Sequence, residues 1–370
     1  MKSLAFLLAL AGLVIPCTAV TADGAMWSTA SVEGVGYVSL EDIRSFYKLM
    51  PIAQPKGNGT RAVGNGTITL IFGPGPKDVC IHGLRCTLSH PTRPDDKGDL
   101  LVSKTDLLKL IDPVLRPTYI AGRKIIKTVV IDPGHGGHDP GTVTDYAREA
   151  NVALMVAGKL AGELRQRGLE VKLTREVNQH VSDQLRLDMA NHTPDALFIS
   201  LHVNSGRSDT SGIETYTVAP APPGETGCPA NEHDAANAAL AVALQSALIA
   251  KAGAKDGGCR RAHYSLLSSL RCPAALVELG YATNQGEAER LNTEEYQSKL
   301  ALALADGIFA FAAVMNPETQ LKALPPPPPP PAEPAKVEPP KKKAEPTKKA
   351  TPRKRRPAQR KQKPQRRRQR

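Results

Sequence analysis

Residues 129–141 read VVIDPGHGGHDPG, and this segment carries the clearest structural pattern of the chain. An apolar run ends at Asp132, and a glycine-rich segment carrying His135 follows it. Such a pattern is typical of a buried strand that leads into a sharp loop. Glycine-rich loops also bind phosphate, but this one lacks the Lys-Ser/Thr pair of a P-loop and the GxGxxG pattern of dinucleotide sites. We therefore interpret His135 as a candidate metal ligand.

The sequence around this stretch alternates between apolar strands and amphipathic helices. The predicted elements are a strand at 127–131, a helix at 149–167, a strand at 169–173, a helix at 181–191 and a strand at 196–202. This alternation predicts an α/β fold with an open, twisted, mostly parallel sheet and helices on both faces. We assign the fold to a domain that covers residues 123–316.

Four residues of this domain carry the side chains of a catalytic metal site. His135 and His202 each follow a predicted strand, Glu149 opens a helix, and Glu278 ends an apolar run. Ligand sites of open α/β sheets collect at the carboxyl ends of the strands. Two His and one Glu as ligands, with a further Glu left free, match a catalytic zinc site with an open coordination position. A single His at such a place is more often structural, so the prediction depends on all four residues together.

Seven segments of this domain, taken in order, resemble the zinc-dependent N-acetylmuramoyl-L-alanine amidases of the amidase-3 type. They are residues 129–141, 148–149, 173–175, 190–191, 200–204, 212–216 and 272–284. The resemblance implies that His135, Glu149 and His202 bind Zn²⁺ and that Glu278 is the catalytic acid/base. It also implies hydrolysis of the amide between N-acetylmuramic acid and L-alanine of peptidoglycan by zinc-activated water.

Two other functions stay open at this point. One is a zinc peptidase that cuts within the stem peptide, and the other is a non-catalytic cell-wall-binding protein. The presence of all four site residues weighs against the second. Some members of the family carry a long helical insertion that blocks the zinc. Segment 219–234 is short and rich in Pro and Gly, so we expect no such plug, although it could form a lid.

Several further charged residues lie near these segments. His138 and Asp139 either support the metal ligands or face water as loop residues. Arg175 and Arg186 are expected to be structural cations that pair with local carboxylates. Residues of a cleft loop either line the substrate groove or lie there without a role in binding, and these are Arg260, Arg261 and His263.

The N-terminus predicts export. Residues 1–22 have a short charged start, an apolar middle and a small-residue end, as in a secretory signal peptide. We expect cleavage before Asp23, with Ala19 as the other candidate, whereas Pro16 makes a lipoprotein site at Cys17 a poor fit. The predicted location is therefore periplasmic or extracellular, in association with the cell wall.

Five cysteines remain after removal of this peptide, namely Cys80, Cys86, Cys228, Cys259 and Cys272. None of them has zinc-ribbon spacing, and an odd number leaves at least one thiol without a partner within the chain. Cys80 and Cys86 flank a predicted hairpin turn, which favours a local cross-strand disulfide. Cys228 could pair with Cys259 or with Cys272.

A first module precedes the catalytic domain, at residues 30–118. Short strands and two helices predict a small α+β unit, which includes a hairpin at 79–88. The unit resembles the amine-oxidase-N-terminal-like modules of exported wall enzymes. It carries no cluster of acid, base and nucleophile, so we expect a binding or positioning role.

The basic charge of the chain belongs to its C-terminal end. The 370 residues carry a net charge of +12, but residues 332–370 hold 17 of the 48 Lys and Arg and 3 of the 36 Asp and Glu. The rest of the chain therefore has a net charge of −2. Residues 325–370 begin with seven prolines, which predicts a stiff spacer followed by a disordered cationic tail. Because the chain is exported, we expect no nucleic acid partner, but an anionic wall polymer or outer-membrane surface, and a monomeric protein.

Overall fold

The computed structural model describes residues 29–54, 59–73, 75–220 and 233–318. The predicted signal peptide, the predicted tail, Cys228 and most of segment 219–234 lie outside the described residues. The predictions made for them therefore stay predictions.

Fifteen strands, eight helices and a short 3-10 helix (Pro117–Tyr119) are assigned in the described part of the chain. The strands are β1 (Thr29–Val32), β2 (Val35–Ser39), β3 (Met50–Ile52), β4 (Arg61–Gly64), β5 (Thr69–Phe72), β6 (Asp78–Ile81), β7 (Leu84–Thr87), β8 (Arg93–Pro94), β9 (Leu100–Ser103), β10 (Thr128–Pro133), β11 (Glu170–Leu173), β12 (Ala196–Asn204), β13 (Ile213–Val218), β14 (Asp256–Ala262) and β15 (Ala274–Tyr281). The helices are α1 (Leu40–Tyr47), α2 (the helical residues 104–115), α3 (Glu149–Gln166), α4 (Asp183–Asn191), α5 (Asp234–Ala252), α6 (Ser265–Ser268), α7 (Gln285–Leu291) and α8 (Glu294–Met315). The elements predicted between residues 127 and 202 agree with these bounds to within two residues at each end, whereas the strand predicted to end at Glu278 continues to Tyr281.

The main sheet is mixed rather than uniformly parallel. Strands β11, β10, β12 and β15 pair in that order and run parallel, as predicted. Strand β13 then adds antiparallel to β15, and β14 adds parallel to β13. The carboxyl ends of β10, β12 and β15 therefore meet the amino end of β13 at one edge, which is where the site residues lie.

Helices cover both faces of this sheet, as predicted. Helices α3, α5 and α8 enclose the larger core, and α4 and α6 cover the opposite face. Helices α5 and α8 are long and apolar enough to span a membrane, but 72% and 61% of their apolar windows are buried within this fold. Their apolar composition is explained by packing on nearly all sides.

The N-terminal module continues the same sheet. Strand β7 lies parallel to β14, with Cys86 beside Cys259, so that eleven strands form one sheet that ends with β6, β5, β4 and β3. The core of the module includes Ala238, Ala241 and Val242 of α5. A second, four-stranded sheet has the order β1-β2-β9-β8. The module and the catalytic domain therefore share both a sheet and a core.

The predicted hairpin is present, but the disulfide predicted across it is wrong. A two-residue turn pairs Ile81 with Leu84, so that Cys80 lies opposite Arg85 and Cys86 opposite Val79. Because successive side chains of a strand point to opposite faces, Cys80 and Cys86 lie on opposite sides of the sheet. Both are free thiols, as are Cys259 and Cys272.

Candidate active site

Three residues predicted as metal ligands meet at the edge of the sheet. His135 lies in the loop after β10, His202 near the end of β12, and Glu149 at the start of α3. His135 Nε2 is 3.1 Å and His202 Nδ1 is 2.9 Å from the same oxygen, Glu149 Oε1. Two imidazole nitrogens and one carboxylate oxygen thus converge on one point.

Backbone groups fix the orientation of the Glu149 carboxylate. Thr142 N donates to Oε2 at 2.8 Å, and Val203 N donates to Oε1 at 3.1 Å. Burial opposes ionisation of this carboxyl, but the hydrogen bonds with His135 and His202 outweigh it and hold the pKa of Glu149 well below its usual range. Glu149 is therefore a buried, ionised acceptor that faces the two imidazoles.

Glycines leave room for the three ligand side chains. A Cβ atom on Gly134 would lie 2.3 Å from the His202 ring, and one on Gly141 would lie 2.6 Å from both Glu149 and His135. His135 itself has a φ of +59°, a conformation that costs a non-glycine residue free energy. The run of glycines predicted to form a sharp loop thus clears space next to each ligand.

Two buried arginines hold this loop in place. Arg175 donates to the carbonyl oxygens of Pro133 at 2.9 Å and Gly134 at 2.7 Å. Arg186 donates to His135 O at 3.1 Å and also forms a salt bridge with the buried Asp132. The prediction of structural cations is confirmed, although Arg175 binds carbonyl oxygens instead of the expected carboxylate.

Asp139 and His138, for which the sequence left two interpretations, have different surroundings. Asp139 Oδ2 lies 2.8 Å from His135 Nδ1, on the side of the ring away from Glu149. The pKa of Asp139 is lowered by this hydrogen bond, and hydrogen bonds with Glu149 and Asp139 together raise the pKa of His135 to about 9. His138 packs against the His180 ring, with the ring centroids 4.2 Å apart. Asp139 thus orients His135, whereas His138 points to another neighbour.

The donor set fits a tetrahedral divalent cation. Ligand nitrogens and oxygens about 2.0–2.2 Å from a tetrahedral zinc ion lie about 3.3 Å from one another. The separations of 2.9 and 3.1 Å at Glu149 Oε1 are close to that value, and all three ligand atoms lie within 4.8 Å of one another. Two His and one carboxylate also leave a coordination position for water or substrate.

Glu278 is buried next to this cluster. It lies on β15 directly beside His202 of β12, and its side chain lines the same cavity. Its Oε2 atom is buried and has no hydrogen-bond partner among the described residues. Burial raises the pKa of Glu278 to about 7. A carboxyl with such a pKa can accept a proton and return it near neutral pH.

Glu214 is a third buried carboxylate of the site, not identified from the sequence, and it lies beside Glu278 in the sheet. Its oxygens accept hydrogen bonds from Asn204 at 3.1 Å, Tyr216 at 2.7 Å and Tyr281 at 3.0 Å. Arg260 adds a salt bridge of 2.7 Å. Glu214 belongs to a segment that carried the family resemblance, but no spacing rule linked it to groups so distant in sequence.

The cavity over the cluster has a volume of about 360 Å³. Its lining includes His135, Glu149, His202, Glu278 and the Tyr264 ring. Of the three cleft residues left open, Arg261 points into the module and donates to Ser89 Oγ and Lys109 O. Arg260 lines a neighbouring groove, and His263 is exposed outside both.

Comparisons with known proteins assign residues 129–310 to one family. The sequence model of the family Amidase_3, described as N-acetylmuramoyl-L-alanine amidase, matches residues 129–310. The chain is 32% identical over 186 residues to the uncharacterized protein YqiI of Bacillus subtilis, covering 50% of this chain and 84% of YqiI. It is 30% identical over 187 residues to the N-acetylmuramoyl-L-alanine amidase LytC of the same species, covering 50% of this chain and 35% of LytC.

Among solved structures, the catalytic domain of CwlV, an N-acetylmuramoyl-L-alanine amidase from Bacillus (Paenibacillus) polymyxa var. colistinus, is 31% identical. That match covers 51% of this chain and 99% of CwlV, with a TM-score of 0.45. The family match begins at the strand that leads to His135 and ends within α8, so it contains all four predicted site residues. The chain belongs to the N-acetylmuramoyl-L-alanine amidase family, and its residues 129–310 are a peptidoglycan hydrolase domain of that family.

Proposed function

We propose that this protein hydrolyses the amide between N-acetylmuramic acid and L-alanine with a zinc ion held by His135, Glu149 and His202. The observation that carries the proposal is the buried Glu278 carboxyl, which lacks a hydrogen-bond partner among the described residues and lines the cavity of the three-ligand cluster. When bound, zinc supplies Lewis acidity toward a water molecule and the amide carbonyl.

Glu278 moves the proton of this reaction. Its carboxylate accepts a proton from the attacking water as the new C–O bond forms. The same carboxyl then donates that proton to the alanine nitrogen as the C–N bond breaks, so the peptide leaves as a neutral amine. A pKa of about 7 suits both steps, because neither direction of transfer is strongly uphill.

Other residues hold this arrangement in place. Asp139 Oδ2 accepts a hydrogen bond from Nδ1–H of His135 and thereby directs Nε2 toward the metal position. Hydrogen bonds from Thr142 and Val203 fix Glu149. The preorganised cluster therefore does not have to reorient when substrate arrives.

Digestion of purified peptidoglycan with mass analysis of the products tests the proposal. We expect stem peptides with a free N-terminal L-alanine, their loss with a chelator, and their return with added zinc. Glu278→Gln should lower the rate by at least about 100-fold, whereas Glu295→Gln, an exposed carboxyl on α8, should leave it unchanged. Cuts within the stem peptide would instead assign the protein as a peptidase, and full activity without any metal would overturn the zinc site.

Export and attachment to the wall are part of the same proposal. Relatives of this chain include a probable cell wall amidase, LytH of Staphylococcus epidermidis. The signal-peptide pattern of residues 1–22 supports a periplasmic or extracellular location, and the cationic residues 325–370 support attraction to an anionic wall or outer-membrane surface. Deletion of residues 325–370 should weaken sedimentation with cell walls at low salt and leave turnover of soluble fragments intact. An equal loss of soluble turnover would contradict a simple tethering role.

A further inference from the structure

One row of residues crosses the shared sheet from the catalytic cluster into the N-terminal module. In adjacent strands of the sheet, His202 lies beside Glu278, Glu278 beside Glu214, and Glu214 beside Gly258. Cys259 of β14 lies beside Cys86 of the parallel strand β7, and this register places Gly258 beside Arg85. A Cβ atom on Gly258 would lie 3.3 Å from Arg85 Cβ.

The row continues through the hairpin of the module. Arg85 of β7 lies beside Cys80 of β6, and Cys80 lies beside Ile71 of β5. Because residues side by side in neighbouring strands point to the same face, the whole row lies on the face that carries His202 and Glu278. The module thus extends the surface on which the catalytic residues stand.

A groove lies on this face where the module meets the catalytic domain. Its volume is about 240 Å³. Its lining includes Ile71, Asp78, Cys80, Arg85, Gly258 and Arg260. Because Gly258 has no side chain, the backbone of β14 forms the floor of the groove between Arg85 and Arg260.

Arg260 connects the groove with the catalytic residues. Its guanidinium binds Glu214, the neighbour of Glu278, and donates through Nε to Gly257 O at 3.2 Å. Its side chain is nevertheless 42% exposed and lines the groove. The groove therefore begins beside the catalytic cavity.

Arg85 provides a second cation, farther from the catalytic cluster. Its side chain is exposed and forms no ion pair within the described ranges, while its backbone N–H is held by Asp256 at 2.9 Å. Asp78 lies on the groove wall two residues before Cys80. The groove thus offers a guanidinium near each end of its floor, and one carboxylate at the far wall.

We propose that this groove binds the stem peptide of the substrate beyond the scissile amide, with Arg85 and Arg260 facing its carboxylates; this rests on the proposed function. The carboxyl of muramic acid is consumed in the scissile amide, so the glycan side carries no free carboxylate, whereas stem peptides do. Paired guanidiniums therefore favour the peptide over the glycan.

The spacing of strands agrees with the length of a stem peptide. Neighbouring strands lie about 4.8 Å apart, so β7 is about 14 Å across the sheet from β15. An extended peptide advances about 3.3–3.6 Å per residue. Arg260 and Arg85 therefore face positions about two to four residues beyond the scissile amide.

Kinetics on two soluble substrates test this groove. N-acetylmuramoyl-L-alanine and an N-acetylmuramoyl tetrapeptide share the scissile amide, but only the second reaches Arg85. We expect wild type to prefer the tetrapeptide, and Arg85→Gln to lower the ratio of kcat/KM for long over short substrate about tenfold, mainly through KM. Arg85→Lys should restore part of the ratio, and amidation of the tetrapeptide carboxylates should reproduce the loss in wild type. Arg61→Gln, an exposed arginine on β4 outside the groove, is the matched control.

Calorimetry with the free tetrapeptide separates this proposal from the proposed reaction, because it needs no turnover. Arg85→Gln should weaken binding about tenfold and Arg61→Gln should not. Equal affinity of wild type and Arg85→Gln would overturn the groove even if the amidase reaction proceeds. An effect of Arg85→Gln on binding of peptide-free glycan chains, without one on the tetrapeptide, would overturn it as well. Conversely, tetrapeptide binding that depends on Arg85 would support the groove even if another bond were cleaved.

Discussion

At the scale of single residues, the site pairs two carboxyls with opposite properties. Glu149 receives hydrogen bonds from two backbone N–H groups and faces two imidazoles, so it stays ionised. Glu278 is buried without such donors, and its pKa rises to about 7. The surroundings of each carboxyl therefore fit one for binding a cation and the other for transferring a proton.

In the proposed reaction, the pH dependence follows from Glu278. Its carboxyl must be ionised to accept a proton, so kcat/KM should fall as pH drops through the pKa of Glu278. A bound cation stabilises the carboxylate, which places the acid limb at or below about pH 7. Rate profiles on a soluble muramoyl peptide in zinc-containing buffer measure this limb, and Glu278→Asp should keep it. A rate that rises toward acid pH would contradict the role of Glu278 as base.

We expect Asp139 to control zinc affinity through the orientation of His135. Asp139→Asn removes the charge that orients the imidazole, and should weaken zinc affinity about 10- to 100-fold. Competition with a chromophoric chelator measures the affinity. His138→Asn is the control, because His138 packs against His180 instead. Unchanged affinity in Asp139→Asn would show that the 2.8 Å contact does not orient the ligand.

At the scale of elements, the amino-acid pattern predicts those parts whose cause is local. The apolar run before Asp132 and the glycines after it predict β10 and its loop, and the structure confirms both. The antiparallel placement of β13 depends on pairing with β15, about sixty residues later, and no local pattern reports it. Cys86 of β7 and Cys259 of β14, which lie side by side in the sheet, are even farther apart in sequence. Local patterns therefore do not predict the continuous sheet.

The mistaken disulfide shows how a small error in register changes a conclusion. The hairpin at 79–88 was correctly predicted, yet a two-residue turn shifts the pairing so that Cys80 faces Arg85. Sequence motifs were enough to predict four residues of the candidate site, namely His135, Glu149, His202 and Glu278. Glu214 could not be predicted, because its role depends on Asn204, Tyr281 and Arg260 from three other elements or loops.

The junction of β14 with β7 gives a prediction of its own. Gly258 has a φ of +102°, and a Cβ there would lie 3.1 Å from Arg85 O. Gly258→Ala should therefore lower the free energy of unfolding by about 1–3 kcal/mol. Gly158→Ala, at an open position within α3, should raise it by up to about 1 kcal/mol. Denaturant titration measures both, and a neutral Gly258→Ala would mean that the junction relaxes without cost.

At the scale of the whole molecule, the module and the catalytic domain are joined through their interiors. Ala238, Ala241 and Val242 of α5 belong to the core of the module, while the same helix packs against α8 in the catalytic domain. Long-range pairing of β7 with β14 adds backbone contacts to this shared core. We therefore expect the two parts to unfold together.

Hydrogen exchange tests this expectation. Phe72→Ala, in the core of the module, should lower the free energy of unfolding by about 3–5 kcal/mol. If unfolding is concerted, amides of β12 in the catalytic domain should lose protection by the same amount as those of β5. Loss of protection confined to β5 would show that the module opens alone.

The continuous sheet also determines what happens when the module is removed. A fragment that starts near residue 123 would leave β14 as an edge strand, with its N–H and C=O groups no longer paired with β7. The small apolar residues of α5 that now pack in the module core would face water beside that edge. Such a surface favours self-association, so we expect a fragment without the module to aggregate.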